Sequence, residues 1–150
     1  MPIVSGTITQ HGAVVDVHVG VSQRRQAVLE RNALPVPPRI YVRALIDTGS
    51  AVTAFRSTVF QQLQLQPFTR IPIRTPSTAP GQPHFTDQYD VSLILASAGA
   101  TKHFPSISAI VSDDFNPEDE DGLEALIGRD VLAHCVFQYF GHDQRFDLSF

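Results

Sequence analysis

Short apolar runs separated by turn-forming residues make up the hydrophobic pattern of this chain. Strict alternation of apolar and polar residues is typical of half-buried β-strands, and it is clearest at residues 14–19 and 89–95. Residues 10–12 form a plausible turn, which would make an N-terminal hairpin. Further strands are predicted at residues 3–9, 39–46, 53–55, 102–111, 126–127, 135–140 and 145–150.

A few short segments have a helical pattern instead. Residues 57–63 begin with Ser57, a good N-cap, and carry an apolar face, so they predict a short helix. Another is expected at residues 129–134. Residues 23–32 are expected to form a helical turn or two inside an insertion that spans 22–39, where prolines end the helical pattern. The pattern predicts a mainly β fold with one or two short helices.

The composition indicates one globular domain covering residues 1–150. A net charge of −4 gives no reason to expect nucleic acid or an anionic membrane as a partner. No apolar run is long enough to span a bilayer. Cys135 is the single cysteine, which precludes an internal disulfide, and we interpret it as a buried structural thiol. Without a signal-peptide pattern at the N-terminus, these features favour a cytoplasmic location.

An apolar run at residues 44–46 leads directly into Asp47-Thr48-Gly49-Ser50. A carboxylate at the end of a buried strand is costly unless it is paired or hydrogen-bonded. Gly49 allows close approach to the backbone, and its amide can point at the carboxylate. The Ser50 hydroxyl can bond an outer oxygen of the acid.

This motif resembles that of the retropepsin-like aspartic proteases, the group of the retroviral proteases and their cellular and bacterial relatives. A second resemblance lies at residues 123–132, where two apolar residues and Gly128 lead into a short helix. About 80 residues separate Asp47 from Gly128, which suits a single-lobe protease. The likeness covers roughly the whole chain. It implies an acid-protease-type β-barrel lobe, closed or partly open.

The resemblance also implies a role for each residue of the first motif. Asp47 would be the catalytic aspartate, and Thr48 would reach across to bond the loop of a partner subunit. Gly49 would place backbone against the substrate, and Ser50 would orient Asp47.

Structural support beneath the active site is implied for Ile127, Gly128 and Arg129. Gly128 would let the late helix pack tightly under the loop. Arg129 matches an arginine that, in many retroviral proteases, pairs with an acid two residues after the first motif's glycine. That place is taken by Ala51, so the ion pair is missing or rebuilt, and the chain looks closer to cellular and bacterial members.

Peptide hydrolysis by aspartates needs two carboxylates that share one proton. The chain has a single Asp-Thr-Gly, so the resemblance implies a homodimer with Asp47 and its symmetry mate at a two-fold axis. The C-terminal hairpin either interleaves with the partner's termini or stays within its own subunit. The substrate would be a peptide or protein, and no metal or organic cofactor would be needed.

Residues 66–88 are polar and rich in turn formers, and in the family this region holds the flap that folds over bound peptide. The resemblance therefore assigns substrate binding to five residues there: Ser77, Thr78, Ala79, Pro80 and Gly81.

Other chemistry is not indicated. The acidic stretch 113–122 does not match the calcium-loop template and is interpreted as a solvated loop. The histidines lack metal-ligand spacing. Two alternatives to the protease remain open: a catalytically silent peptide-binding or dimerisation module with the same fold, and an unrelated β-barrel binding domain with Asp47 in a turn.

Overall fold

The computed structural model describes residues 1–74 and 79–150. None of the helices in these two ranges is both long and apolar enough to cross a membrane. The helices are α1 (Gln23–Arg31), α2 (Ser57–Gln62) and α3 (Arg129–Leu132). The strands are β1 (Ile3–Thr9), β2 (Gly12–Val21), β3 (Ile40–Ile46), β4 (Ala54–Phe55), β5 (Thr69–Ile73), β6 (His84–Ser97), β7 (Ala100–Val111), β8 (Leu123–Ile127), β9 (Val136–Phe140) and β10 (Arg145–Ser149).

Six strands close into a barrel. The strand order is β5-β6-β7-β4-β8-β3-β2-β1-β10-β9, and an additional pairing of β6 with β2 closes the ring β2-β3-β8-β4-β7-β6. The pairs β3–β8 and β4–β7 are parallel, and the other pairs are antiparallel. The prediction of a mainly β, closed barrel with short helices is confirmed.

The alternating residues of the sequence form the barrel core. Val17, Val19, Leu93 and Leu95 have no exposed surface, so both predicted alternations point the expected face inward. Helix α2 packs against the barrel through Phe60, whose ring stacks on Tyr89 of β6 with ring centroids 4.0 Å apart. Burial of these side chains supplies most of the driving force for the fold.

The expected cap of α2 was wrong. Ser57 is the first residue of the helix, and the N-cap position belongs to Arg56, which makes no side-chain capping bond. Instead, Asp113 Oδ1 accepts hydrogen bonds from the backbone amide and the hydroxyl of Ser57, each at 2.9 Å. A carboxylate from a distant loop thus satisfies a helix N-terminal amide that a local cap would normally serve.

The insertion and the turn-rich stretch both hold more regular structure than their composition suggests. Within residues 22–39, α1 begins after Ser22, whose Oγ accepts a hydrogen bond from the Arg25 amide at 3.2 Å. Residues 66–88, which are polar and rich in turn formers, contain β5 and the first part of β6. These two strands pair from Thr69–Gln88 to Ile73–His84.

The C-terminal hairpin pairs with the first strand of the same chain. β10 pairs with β1 from Ile3–Ser149 to Thr7–Arg145, and β9 pairs with the other side of β10. We call β1, β10 and β9 the terminal sheet. Phe146 is fully buried on the inner face of this sheet. A Cβ on Gly6 would lie only 2.5 Å from the Phe146 ring, so the ring fits because Gly6 has no side chain.

The acidic loop is anchored at its end rather than fully solvated. Asp121 is buried, and its Oδ2 accepts a hydrogen bond from Thr9 Oγ1 at 2.6 Å and contacts His11 Nδ1 at 2.6 Å. The hydrogen bond from Thr9, followed by the one from His11, holds the pKa of Asp121 below its usual range. The loop is therefore tied to the β1–β2 turn.

We expect Asp121→Asn to lower the free energy of unfolding at pH 7. Because the folded-state pKa of Asp121 is depressed, its contribution is fully present above the unfolded pKa and is lost as the pH falls through the folded value. The difference between wild type and variant should therefore shrink below about pH 4. Urea unfolding across pH 2–7 measures this difference in the free energy of unfolding. Glu118→Gln, in the same loop, is the control. A difference that does not change with pH would contradict the account.

Candidate active site

Asp47 lies where two neighbouring parallel strands end. β3 ends at Ile46 and β8 ends at Ile127, and these residues are paired in register. The amide of Asp47 donates a hydrogen bond to the Ile127 carbonyl at 3.0 Å, which extends the ladder by one residue. The buried strand pair therefore fixes the backbone of Asp47, while its side chain is half-buried.

Residues 47–53 turn sharply after the strand and form what we call the Asp47 loop. The Gly49 amide donates to Asp47 Oδ1 at 2.8 Å, as the sequence suggested. A Cβ on Gly49 would lie 3.0 Å from the same oxygen, so a larger residue would crowd the carboxylate. Thr48 is exposed at the tip of the turn.

Ser50 does not contact the carboxylate. Its hydroxyl donates to the Val52 carbonyl at 2.7 Å, so the expectation that it bonds Asp47 within this chain was wrong. The Ser50 amide donates to the carbonyl of Asp47 at 3.3 Å and closes the turn. A carbonyl within the same loop accepts the hydroxyl, and Ser50 braces the backbone instead.

Gly128 lets the start of α3 lie directly against the Asp47 loop. A Cβ at Gly128 would be 2.5 Å from both the carbonyl carbon and the carbonyl oxygen of Val52, a distance that real Cβ atoms do not reach. Across this contact the Gly128 amide donates to Thr53 Oγ1 at 3.1 Å, and the Arg129 amide donates to the Ser50 carbonyl at 2.9 Å. The predicted tight packing beneath the loop is present.

Asp130 is a supporting residue that the sequence reasoning missed. Its two carboxylate oxygens accept hydrogen bonds from the Thr53 amide at 3.0 Å and the Thr53 hydroxyl at 2.8 Å. Thr53 is fully buried, so these bonds satisfy groups that have no access to water. The sequence shows an acid at the start of the late helix, but no neighbouring residue indicates that its partner lies in the Asp47 loop.

Arg129 makes a backbone contact in place of an ion pair. Its Nη1 donates to the Thr48 carbonyl at 2.9 Å. Ala51 has no side chain with which the guanidinium could pair. The arginine therefore holds the tip of the Asp47 loop directly.

Asp47 opens onto a wide cleft of about 980 Å³. One side is formed by Gly49, Ser50 and the end of β7, and the other by the β5–β6 hairpin. Of the predicted flap residues, Ala79 lines this cleft, whereas Pro80 and Gly81 are exposed and do not line it. Ser77 and Thr78 lie outside the described residues.

The cleft walls carry charged and aromatic residues that the motif search did not find. Arg70 and Asp87 face each other across the β5–β6 hairpin, 3.5 Å apart, and His84 and Phe85 lie farther along it. In the described ranges no three His, Cys, Asp or Glu side chains are grouped so that they could hold a metal ion. The thiol of Cys135 lies away from this cleft, and its burial raises its pKa.

The fold is that of a retropepsin-like aspartic protease. The structure is similar to that of a retropepsin-like aspartic protease from Rickettsia conorii, with a TM-score of 0.59 and 16% sequence identity over 99% of this chain and 90% of that chain. No protein-family model and no curated protein sequence matches the chain. At this identity the similarity establishes the architecture and leaves the activity to be argued from the site.

Gly128→Ala should lower the free energy of unfolding by roughly 1–3 kcal/mol, because a Cβ there meets backbone that is held by several hydrogen bonds. Urea denaturation measures the change. The matched control is Gly141→Ala, whose Cβ would meet only the Tyr139 ring, at 3.3 Å. Equal stabilities of the two variants would show that the contact under the Asp47 loop is unimportant.

Proposed function

We propose that the chain is an aspartic endopeptidase that acts as a homodimer, with Asp47 of each subunit as the catalytic residue. The observation that carries the proposal is the position of Asp47. It follows a buried strand, receives the Gly49 amide on one carboxylate oxygen, and opens onto a large cleft. The retropepsin-like fold supports the same conclusion.

The chemistry requires a second carboxylate, which one chain does not supply from its single Asp-Thr-Gly. Two carboxylates brought together at a two-fold axis share one proton, because two negative charges about 3 Å apart repel strongly. The ionised member takes a proton from a water molecule, which attacks the scissile carbonyl carbon. The protonated member donates its proton to the carbonyl oxygen, which gives a tetrahedral gem-diol. The carboxyl that took the proton from water then protonates the amide nitrogen, the other carboxylate accepts a proton from a hydroxyl of the gem-diol, and the C–N bond breaks to release the amine and the new carboxyl end.

The neighbouring residues have positioning roles in this scheme. The Gly49 amide keeps one oxygen of Asp47 in a fixed direction, and Arg129 holds the carbonyl of Thr48. Thr48 is exposed and free to meet the partner's loop. A site prepared in this way loses little free energy to reorganisation during the reaction.

The cleft suits a peptide or protein substrate. Its volume of about 980 Å³ accommodates several residues of an extended chain, and it is open rather than enclosed. The β5–β6 hairpin forms one wall, so Ala79 and the neighbouring loop are proposed to contact the substrate from that side.

A silent peptide-binding module is the second candidate. The observation that favours it is the Ser50 hydroxyl, which bonds the Val52 carbonyl and leaves Asp47 without the partner that the motif implies. The same cleft would then bind peptides without cleaving them. Cleavage assays separate the two functions directly.

Asp47→Asn should abolish peptide cleavage, with a loss of at least about 100-fold, because the substituted amide cannot exchange a proton with water or substrate. Digestion of a complex peptide library at pH 4–7, followed by mass spectrometry, measures the activity. Asp143→Asn, an exposed carboxylate in the β9–β10 turn, is the matched control and should retain full activity. Equal cleavage by Asp47→Asn and wild type would exclude Asp47 as the catalytic residue.

Mixing wild-type and Asp47→Asn subunits tests whether the two carboxylates come from two chains. After subunit exchange at equal amounts and constant total concentration, random pairing leaves about a quarter of the dimers fully wild-type. Activity should fall to about that fraction, because mixed dimers hold only one functional carboxylate. A fall to only one half would indicate that each subunit acts alone.

A further inference from the structure

A second hollow lies on the surface between α1 and the segment that joins α2 to β5. We call it the α1 groove, and its volume is about 290 Å³. Its apolar walls are Val28, Leu65 and Phe68, and the side chains of Arg24 and Arg25 also line it. Among the described residues it shares no lining residue with the proposed catalytic cleft, so the two are separate features of the surface.

The apolar walls of the α1 groove are exposed although their backbone is ordered. Phe68 is 56% exposed and Val28 is 38% exposed. The amide of Phe68 donates a hydrogen bond to the Gln88 carbonyl at 2.9 Å, which ties Phe68 to β6. Leu65 is partly buried and packs against the barrel core. An exposed aromatic residue on a fixed backbone beside a hollow is typical of a site that receives an apolar side chain.

The two arginines lie at the end of α1 where cations are least favourable. Arg24 and Arg25 are in the first turn of the helix, which begins at Gln23. The N-terminal end of a helix carries a partial positive charge, so acids stabilise it and cations destabilise it. A residue that breaks a local preference within a regular element is often kept for function. We therefore interpret these arginines as groups that bind an anionic ligand.

The charges around the α1 groove favour an acidic ligand. Helix α1 carries three arginines and one glutamate, whereas the whole chain has a net charge of −4. One acid, Asp90, also lines the groove, and its Oδ1 accepts a hydrogen bond from the Ser106 hydroxyl at 2.5 Å. The two guanidinium groups outnumber this carboxylate. Guanidinium groups bind carboxylates through paired hydrogen bonds, so a ligand with carboxylates beside an apolar group complements the groove.

The α1 groove lies at the base of the hairpin that forms one wall of the catalytic cleft. Phe68 directly precedes β5 and lines the groove, whereas Arg70, two residues later, lines the cleft. On β6, Asp90 lines the groove and Asp87 lines the cleft. Three residues of an extended strand span about 10 Å. A peptide that fills the cleft therefore needs only a few more residues to reach the groove.

We infer that the α1 groove binds an acidic segment of the protein substrate outside the catalytic cleft. One large apolar side chain of this segment lies between Val28 and Phe68, and neighbouring carboxylates bind Arg24 and Arg25. The inference rests on the proposed function, because it assigns the segment to the substrate. Binding there raises the local concentration of the scissile bond at the cleft, which lowers KM and leaves kcat unchanged.

Peptide binding is measured first, in the Asp47→Asn variant so that the peptide stays intact. The probe is the fluorescein-labelled peptide Gly-Asp-Asp-Phe-Asp-Asp-Gly, and fluorescence anisotropy should show saturable binding. Two comparison peptides carry lysines in place of the aspartates, or serine in place of the phenylalanine. Each should bind at least about tenfold more weakly, because one reverses the charge and the other removes the apolar anchor.

Substitutions in the α1 groove separate ligand contacts from structural roles. Arg24→Glu and Arg25→Glu should each weaken binding at least about fivefold without lowering the urea midpoint, since acids suit that end of the helix. Arg31→Glu makes the same charge change at the other end of α1, outside the groove, and should leave the affinity unchanged. Phe68→Ala should also weaken binding. Its control is Tyr41→Ala, which is equally exposed and outside the groove.

Substrate kinetics then test whether the occupant is part of the substrate. A cleavable sequence found by library digestion is joined to the acidic segment by Gly-Ser linkers of about 4, 8 or 12 residues. For the best linker, KM should be at least about fivefold lower than for the version with lysines in place of the aspartates, at equal kcat. Arg25→Glu should remove this difference, and Arg31→Glu should retain it.

The outcomes separate this inference from the proposed function. Binding that requires Arg24, Arg25 and Phe68, with no cleavage of any peptide, supports the peptide site and refutes the protease. Cleavage by a protein that binds the aspartate and lysine peptides equally supports the protease and overturns the inference. Binding that lowers KM at none of the linker lengths overturns the assignment of the segment to the substrate.

Discussion

The site depends on one close contact between backbones. Gly128 has no side chain, and the carbonyl of Val52 occupies the space that a Cβ would fill. This approach lets Asp130 bind Thr53 and lets the Arg129 amide bind the Ser50 carbonyl. Together with the bond from the Asp47 amide to Ile127, these contacts fix the Asp47 loop at both ends. The position of the Asp47 loop thus depends on contacts with residues 75 or more positions away in the chain.

The barrel and the terminal sheet are distinct parts of the fold. The closed barrel provides a rigid base, because its core strands are buried and its ring leaves no free edge. The terminal sheet lies outside the ring and ends in the open edge of β9. The proposed catalytic carboxylate follows a barrel strand, and α3, which lies between β8 and β9 in the chain, holds the Asp47 loop through Arg129.

Much of this arrangement could be predicted from local sequence, and several exceptions involve partners that are distant in the chain. The alternation at Val15, Val17 and Val19 predicted β2, and Asp47 with Gly49 predicted the turn and its amide bond. Ser50 was assigned the wrong partner because a carbonyl in its own loop accepts its hydroxyl. The partners of Ser57 and Asp130 could not be predicted. Asp113 binds Ser57 across 56 positions and Asp130 binds Thr53 across 77, and no local pattern encodes such pairs. The β5–β6 hairpin lies in the region where the resemblance places the flap, but its strands were not predicted from their own pattern, because their prolines and polar residues resemble a loop.

The central claim is that two copies of Asp47 form one catalytic site. Its most direct test is the binding stoichiometry of a peptide that carries a secondary alcohol in place of a scissile bond found by library digestion. Such a compound mimics the tetrahedral intermediate and should bind far more tightly than the substrate. Isothermal titration calorimetry should give about one ligand per two chains, and Asp47→Asn should lose the binding. One ligand per chain, or binding that survives Asp47→Asn unchanged, would contradict the account.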